Sequence, residues 1–496
     1  MNNEIKHSMG EIIGIIFHSM ERFVNILNND FQRYLCPSDT EGGHLFFDSF
    51  QKFWLPSIKS WENAKDFESI VKALDPDGTK YPHDPNVDIS KIKTIDSCKI
   101  EPNKTITDKR LKELFEFTMD DTVTNFNLVR DEINTMFDYN LPSTISDLDA
   151  YLEKSIEVDI RNKDIINILI VGAGPIGLFT ALYLNEYYNS GESKPNYLNT
   201  HINILLLDNR TYSESVKLPY SRMTQFGFNK SFIQPFVKRI YCWDTGHKYE
   251  RHFDFINLLE NLLYLTAYNK NIPMYFTKRY ETFEQIKEFA VNNNFNFVFD
   301  CTGGRLGAGR YLKADIDWYM PAFKKEDVNG DMLEVRYVSD NMYRFFVNDE
   351  EYKHTTVVLS LFDNDNKQIP VGNLFGFVTD DDDQIIIDKI KRRCFSVRNI
   401  IKISRKFKSR TLRYLFYWII TVLQVDMNTV KAVKIDTFNT NSHHVNRVAQ
   451  VIDDKFVYVG LGETLGASEY GIYMGMRYGM NFAMHACNLL TSVRYF

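Results

Sequence analysis

Gly172, Gly174 and Gly177 close the run Ile166 to Leu178, INILIVGAGPIGL, where an apolar strand gives way to a helical pattern. Each glycine has a physical task at that spacing. The first permits a tight turn, the second lets the backbone approach a pyrophosphate, and the third allows close helix-on-strand packing. Ala173, Pro175 and Ile176 complete the loop, whose amides and helix N-terminus would face phosphate charge. Asp208 ends the next apolar run, Ile202 to Leu207, where a carboxylate can accept both hydroxyls of a ribose; Asn209 and Arg210 follow it. The gap from Gly177 to Asp208 is about thirty residues against a usual roughly 20, and a polar insertion at Tyr188 to Thr200 accounts for the excess.

Two later segments add to this constellation. Phe295 to Phe299 runs into Asp300-Cys301-Thr302-Gly303-Gly304-Arg305, a small-residue turn at the carboxyl edge of a strand, where ligands of doubly wound sheets collect. Phe456 to Val459 runs into Gly460-Leu461-Gly462-Glu463-Thr464-Leu465-Gly466, and a helix is expected to begin near Ser468. Along it Gly471, Gly475, Gly479, Ala483 and Cys487 recur every fourth residue, so one face is a stripe of small side chains, suited either to a flat ring or to close packing alone.

The elements needed to position these groups can be read around them. Leu178, Ala181, Leu182 and Leu184 give the loop helix an apolar face. Helices are expected at Phe253 to Ala267 and Thr282 to Ala290, and a short strand at Pro273 to Phe276. From about Gly330 the period alternates, predicting antiparallel strands at Met332 to Val338, Met342 to Val347, Thr355 to Phe362 and Val371 to Val378, then a helical segment from Gln384 to Leu423. The fold class expected is α/β, a Rossmann-like domain with an inserted antiparallel β-sheet domain and a mainly helical N-terminal extension. The boundaries read are 1–160 for the extension, 161–320 and 431–496 for the two parts of the nucleotide-binding domain, and 321–430 for the substrate domain.

Composition excludes several classes. The 496 residues carry a net charge of −7, which disfavours nucleic acid as a partner, and 44% are apolar, enough for a sizeable core. The six cysteines, Cys36, Cys98, Cys242, Cys301, Cys394 and Cys487, are widely spaced, suiting a reducing compartment rather than a disulfide framework or zinc site. No secretory signal is evident, and the longest apolar stretch, Tyr414 to Val425, is short of the about 20 residues a bilayer needs, so a cytoplasmic protein is expected. HExxH, GxSxG and Walker patterns do not occur. The basic segment 389–413 reads either as a solvated helix face or as a site for an acidic partner. Asp380 to Asp383 reads as a helix-start cluster, His443 and His444 as surface imidazoles, and Cys301 as a small buried residue.

Taken in order, GAGPIG, an acid ending the second strand, a mid-chain CTGG turn, an inserted sheet and a late glycine-rich turn resemble the FAD-dependent monooxygenases of the aromatic-hydroxylase type. The segment order is also similar to the monooxygenase domain of the MICAL proteins. The resemblance spans Ile165 to about Leu490. It implies that Gly172, Gly174 and Gly177 hold the FAD pyrophosphate, Asp208 the adenosine ribose and Arg222 the cofactor. It further implies that Glu463, in Gly462-Glu463, reaches the ribityl chain, and that Gly466 and the helix beyond face the isoalloxazine. Thr302-Gly303 stands where the family has Asp-Gly, a pair associated with FAD and NADPH, so NAD(P)H enters only as the candidate electron donor; Glu463 stands for aspartate. The activity implied is oxygenation of a substrate lying between two domains. The alternatives are a flavin oxidase or dehydrogenase, and a cofactor-free binding protein of the Rab escort and GDP-dissociation-inhibitor kind.

Overall fold

The structure, a computed structural model, describes residues 20–31, 145–189, 201–209, 225–229, 251–307, 323–326, 332–365, 375–409, 428–467 and 475–490, a few positions inside these ranges excepted, with isolated positions between 72 and 95 and at 312, 412, 413 and 415. Its centre is a parallel sheet built from β1 (Ile165–Val171), β2 (His201–Asp208), β3 (Met274–Phe276), β4 (Phe297–Asp300) and β5 (Phe456–Gly460). In space the order is β3-β2-β1-β4-β5, with the antiparallel strand Ala449–Ile452 on the far edge. The order reverses between β1 and β4, and a crevice therefore opens beyond their carboxyl ends.

All seven residues of β1 are buried, as a strand covered on both faces requires. Its side chains alternate between two layers. Ile166, Ile168 and Ile170 join a cluster with the helix α1 (Pro175–Leu184) and the helix Ile256–Asn269; Leu169 and Val171 join another with Leu148–Arg161 and α2 (Phe283–Asn292). Pro175 opens α1 at a position where no amide donor is needed. Thr282 and Gln285 cap α2 reciprocally. The loop helix runs on through a π turn, Asn185–Asn189, in which Tyr188 is buried and donates to the Cys487 carbonyl at 2.7 Å. The polar insertion therefore starts after Tyr188.

Two helices from the region read as an extension belong to this core. Residues 20–31 put Phe23 edge-on to Phe297, with centroids 5.1 Å apart, and Phe31 edge-on to Phe482 at 5.3 Å. Asn28 ties the segment to the edge strand: its amide donates to the Ala449 carbonyl at 2.9 Å, and its oxygen accepts from Val448 N–H at 2.7 Å. Leu148 and Leu152 of the second helix pack on the opposite face of the sheet.

Two antiparallel sheets are built from strands between β4 and β5, joined by the short strand Gly466–Ala467 from beyond β5. One runs Gly466–Ala467, His443–Val445, Met342–Val347, Met332–Ser339, Phe323–Glu326, with Glu350–Glu351 paired beside it. The other runs Phe375–Val378, Lys353–Phe362, Ala432–Asn441, Cys394–Phe395. Within the helical segment expected over 384–423, the residues described up to 409 form two short helices, Asp381–Ile390 and Val397–Ser404, separated by the strand Cys394–Phe395. Ala432–Asn441 alternates its side chains in AVKIDTFNTN, yet it escaped the sequence reading, which passed from helix to the final strand.

The cysteines correct a second expectation. Cys301 and Cys487 are free, whereas Cys394 is disulfide-bonded, so wide spacing in sequence did not exclude a bridge in space. Among the described residues no helix is long and apolar enough to cross a membrane.

Candidate functional site

One crevice at the switch point collects most of the residues singled out above. It holds a cavity of about 180 Å³ and is lined by Gly172, Gly174, Pro175, Ile176, Asp208, Asn209, Thr302, Gly303, Gly462 and Glu463, among others.

The glycine loop has the geometry its sequence requires. Gly172 sits at φ +103°, and a Cβ there would stand 2.8 Å from the Cys301 carbonyl oxygen. At Gly177 a Cβ would lie 1.8 Å from the Gly172 carbonyl oxygen, so the third glycine sets how tightly α1 closes on the loop. Gly174 is the N-cap of α1 and no side chain caps that helix. Its first-turn amides and the positive end of its dipole therefore border the crevice, a donor set suited to a pyrophosphate.

Asp208 is buried at the end of β2, and one of its oxygens accepts from Ala173 N–H at 2.6 Å. The carboxylate thus holds the glycine loop while lining the crevice. Arg210 and Arg222 lie outside the described residues. Beyond Asp208 the wall continues through Thr277, Tyr280 and Glu281, which follow β3 and precede α2. The sequence reading missed this trio. The short strand and the capping box mark the connection, while its approach to the crevice depends on β3 pairing beside β2.

On the other side, the turns after β4 and β5 meet. Gly304 N–H donates to Thr464 Oγ1 at 2.9 Å, and Glu463 stands beside Gly303. Gly303 and Gly462 adopt φ of +72° and +64°, in the region that favours glycine. A Cβ on Gly462 would meet Ile176 at 3.0 Å. Gly466 is not in this wall. It lies with Ala467 in a short strand paired to His443 and His444, so both histidines stand in a sheet. Within the small-residue stripe, Gly479 of α3 (Gly475–Leu489) would meet Ile176 at 2.7 Å and the Gly462 backbone at 3.1 Å if it bore a Cβ, so there the stripe serves close packing. Gly471 lies outside the described residues.

Asp300 is fully buried beneath these turns. Desolvation pushes its carboxyl above the ordinary range, opposed by hydrogen bonds from Thr302, Tyr458 and Thr464. The Cys301 thiol is raised well above its usual value by desolvation first, then by Asp300 and Cys487. Cys301 is half-buried and borders the crevice, where the sequence predicts a small buried residue.

No protein-family profile and no curated protein matches the chain. Several solved structures share part of its course. A flavoprotein/dehydrogenase from Cytophaga hutchinsonii is 9% identical, with 66% of this chain and 79% of that one aligned at a TM-score of 0.34. Aklavinone-11 hydroxylase, solved with FAD and aklavinone, is 13% identical over 66% of this chain and 63% of its own, at 0.32. The p-nitrophenol 4-monooxygenase from Pseudomonas putida is 9% identical over 67% and 81%, at 0.31. Likeness at that level says nothing about activity.

Proposed function

We propose that the protein is a FAD-dependent oxidoreductase of the monooxygenase type. The observation that carries this reading is the convergence, at one sheet switch point, of an uncapped helix N-terminus behind a glycine loop, a buried acid ending the second strand, and two glycine turns facing each other. The first-turn amides of α1 around Ile176 would hold the pyrophosphate, Asp208 and Asn209 the adenosine ribose, and Thr302, Gly303, Gly462 and Glu463 the flavin end. Arg210 and Arg222 complete the proposed set. Bound flavin would supply two-electron chemistry and reactivity toward dioxygen, while these residues bind, orient and shield it.

Oxygenation of a substrate between the crevice and the antiparallel sheets, with NAD(P)H as electron donor and a cytoplasmic setting, belongs to the same proposal. So does the likeness in segment order to the MICAL domains. For the basic segment, the cations left exposed to meet an acidic partner include Arg392, Arg393 and Arg398, since Lys391 pairs with Asp388 and Lys408 with Asp380 and Asp382.

The test is an absorbance spectrum of the purified protein, with and without added FAD, alongside thermal unfolding. Flavin bands and a Tm that climbs with FAD concentration are expected, because a ligand specific to the native state stabilises it. A colourless protein whose Tm ignores FAD would overturn the reading in favour of a cofactor-free scaffold. Reduction trials with NADH and NADPH then identify the donor, and hydrogen peroxide release without an oxygenated product would select an oxidase.

A further inference from the structure

Asp300 makes more hydrogen bonds than a strand-terminal residue requires. One oxygen accepts from Thr302 N–H at 2.8 Å and from the Thr302 hydroxyl at 2.6 Å; the other accepts from the Tyr458 hydroxyl of β5. The Thr464 hydroxyl faces the carboxyl and opposes its upward shift, while accepting from Gly304 N–H at 2.9 Å. Thr302 Oγ1 in turn accepts from Arg305 N–H at 3.1 Å. A single buried carboxyl thus gathers the turn after β4, the strand β5 and the turn after β5. The two turns so joined carry Gly303, Gly462 and Glu463, three residues of the crevice wall.

We propose that Asp300 is a positioning residue for the coenzyme: its carboxylate clamps the 302–304 turn to the 462–464 turn, and the clamp is fully closed only while the group is ionised. A carboxylate is acceptor-only and can serve every donor around it, whereas a protonated carboxyl must turn one position into a donor facing hydroxyls that were themselves donating. Charge-assisted bonds become neutral ones in the same step, with about half the strength. The wall holding the coenzyme then loosens, although Asp300 is buried below it. Tyr458 faces the group from β5, Cys301 follows it in its own turn with Cys487 behind, and Glu463 stands beside Gly303. The two thiols are pushed upward by burial and stay neutral as the pH falls.

This inference rests on the FAD reading above, and FAD is the probe. FAD affinity is to be measured by fluorescence titration between about pH 8 and about pH 5 for the wild type, D300N, T464V and T464S. For the wild type, Kd is expected to rise as pH falls through the raised Asp300 value. D300N mimics the protonated state, so its Kd should be flat with pH and weaker than wild type at neutral pH by about tenfold, the equivalent of one hydrogen bond. T464V should weaken binding in the same direction with the pH dependence retained, and T464S should restore it, a pair that carries the test if D300N does not fold. FAD binding by D300N and T464V equal to wild type, or a wild-type slope that persists in D300N, would overturn the inference alone. Failure of the wild type to bind FAD at any pH would overturn the proposed function together with it.

Discussion

Two corners of this molecule use the same device to different ends. At the carboxyl edge of the parallel sheet, buried Asp208 accepts from the Ala173 amide, and the crevice lies beside it. In the four-stranded antiparallel region, buried Asp383 accepts from Lys408 N–H and Ser409 N–H, each at 2.7 Å, and fastens the turn after Val397–Ser404 to the start of Asp381–Ile390. Both carboxylates satisfy loop amides that burial would otherwise leave costly. Asp208 does so in the wall of the crevice at the sheet switch point. A buried acid that captures a loop is therefore a folding device by default, and the neighbouring space decides whether it is also a functional one.

The sharpest break in this comparison is at Gly177. With a Cβ placed 1.8 Å from the Gly172 carbonyl oxygen, the clash is backbone against side chain and no rotamer relieves it. G177V is expected to yield no folded soluble protein, at a cost at the upper end of overpacking, about 3 kcal/mol or more. A folded variant that retained the wild-type Tm would show that α1 does not close on the loop as described.

Next in size is F23A, which asks whether residues 20–31 belong to the nucleotide-binding core. Phe23 is fully buried against Phe297 of β4, so truncation should cost about 3–5 kcal/mol by denaturant unfolding. A loss confined to well under 1 kcal/mol would return this helix to the status of an appendage.

That helix also shows what was and was not legible in the sequence. A mainly helical N-terminal extension is legible in the sequence, but the strand this helix packs on lies more than two hundred residues away, and amphipathic spacing does not name its partner. The glycine loop, β2 and its acid were readable because local rules fix them: an apolar run, a loop with φ restrictions, a helix start. Thr302, Gly303, Gly462 and Glu463 were readable for the same reason, each following an apolar strand. Tyr280 and Glu281 were not, because their approach to the crevice depends on β3 pairing beside β2. Ala432–Asn441 was passed over despite its alternation, since its partners Lys353–Phe362 and Cys394–Phe395 are set by long-range pairing.

The two acids can be compared directly. D208A and D383A each leave loop amides without their acceptor, and each should lower stability by about 1–3 kcal/mol. D208A should in addition abolish or strongly weaken FAD binding, whereas D383A should leave FAD affinity at its wild-type value once the protein is folded. Thermal unfolding and FAD titration on both variants separate the roles. Equal loss of FAD binding in both would mean that the crevice senses global stability rather than its own wall.

The smallest effect is expected on the surface of the antiparallel region. Lys408 pairs with Asp382 and lies 3.8 Å from Asp380, and its ammonium is raised above its ordinary range chiefly by the Asp382 hydrogen bond. A raised lysine contributes stability that is present below its unfolded value and lost as pH climbs through the folded one, so any contribution exists at neutral pH and fades only in strong alkali. The side chain is 62% exposed, however, and solvent and salt screen the pair. K408A should therefore leave the neutral-pH Tm unchanged within experimental scatter, at low and high salt alike. The Asp383 bonds to this segment run through the backbone amides of Lys408 and Ser409, which the substitution retains. A clear fall in Tm would mean that side-chain charge, rather than those two buried amide bonds, holds this corner together.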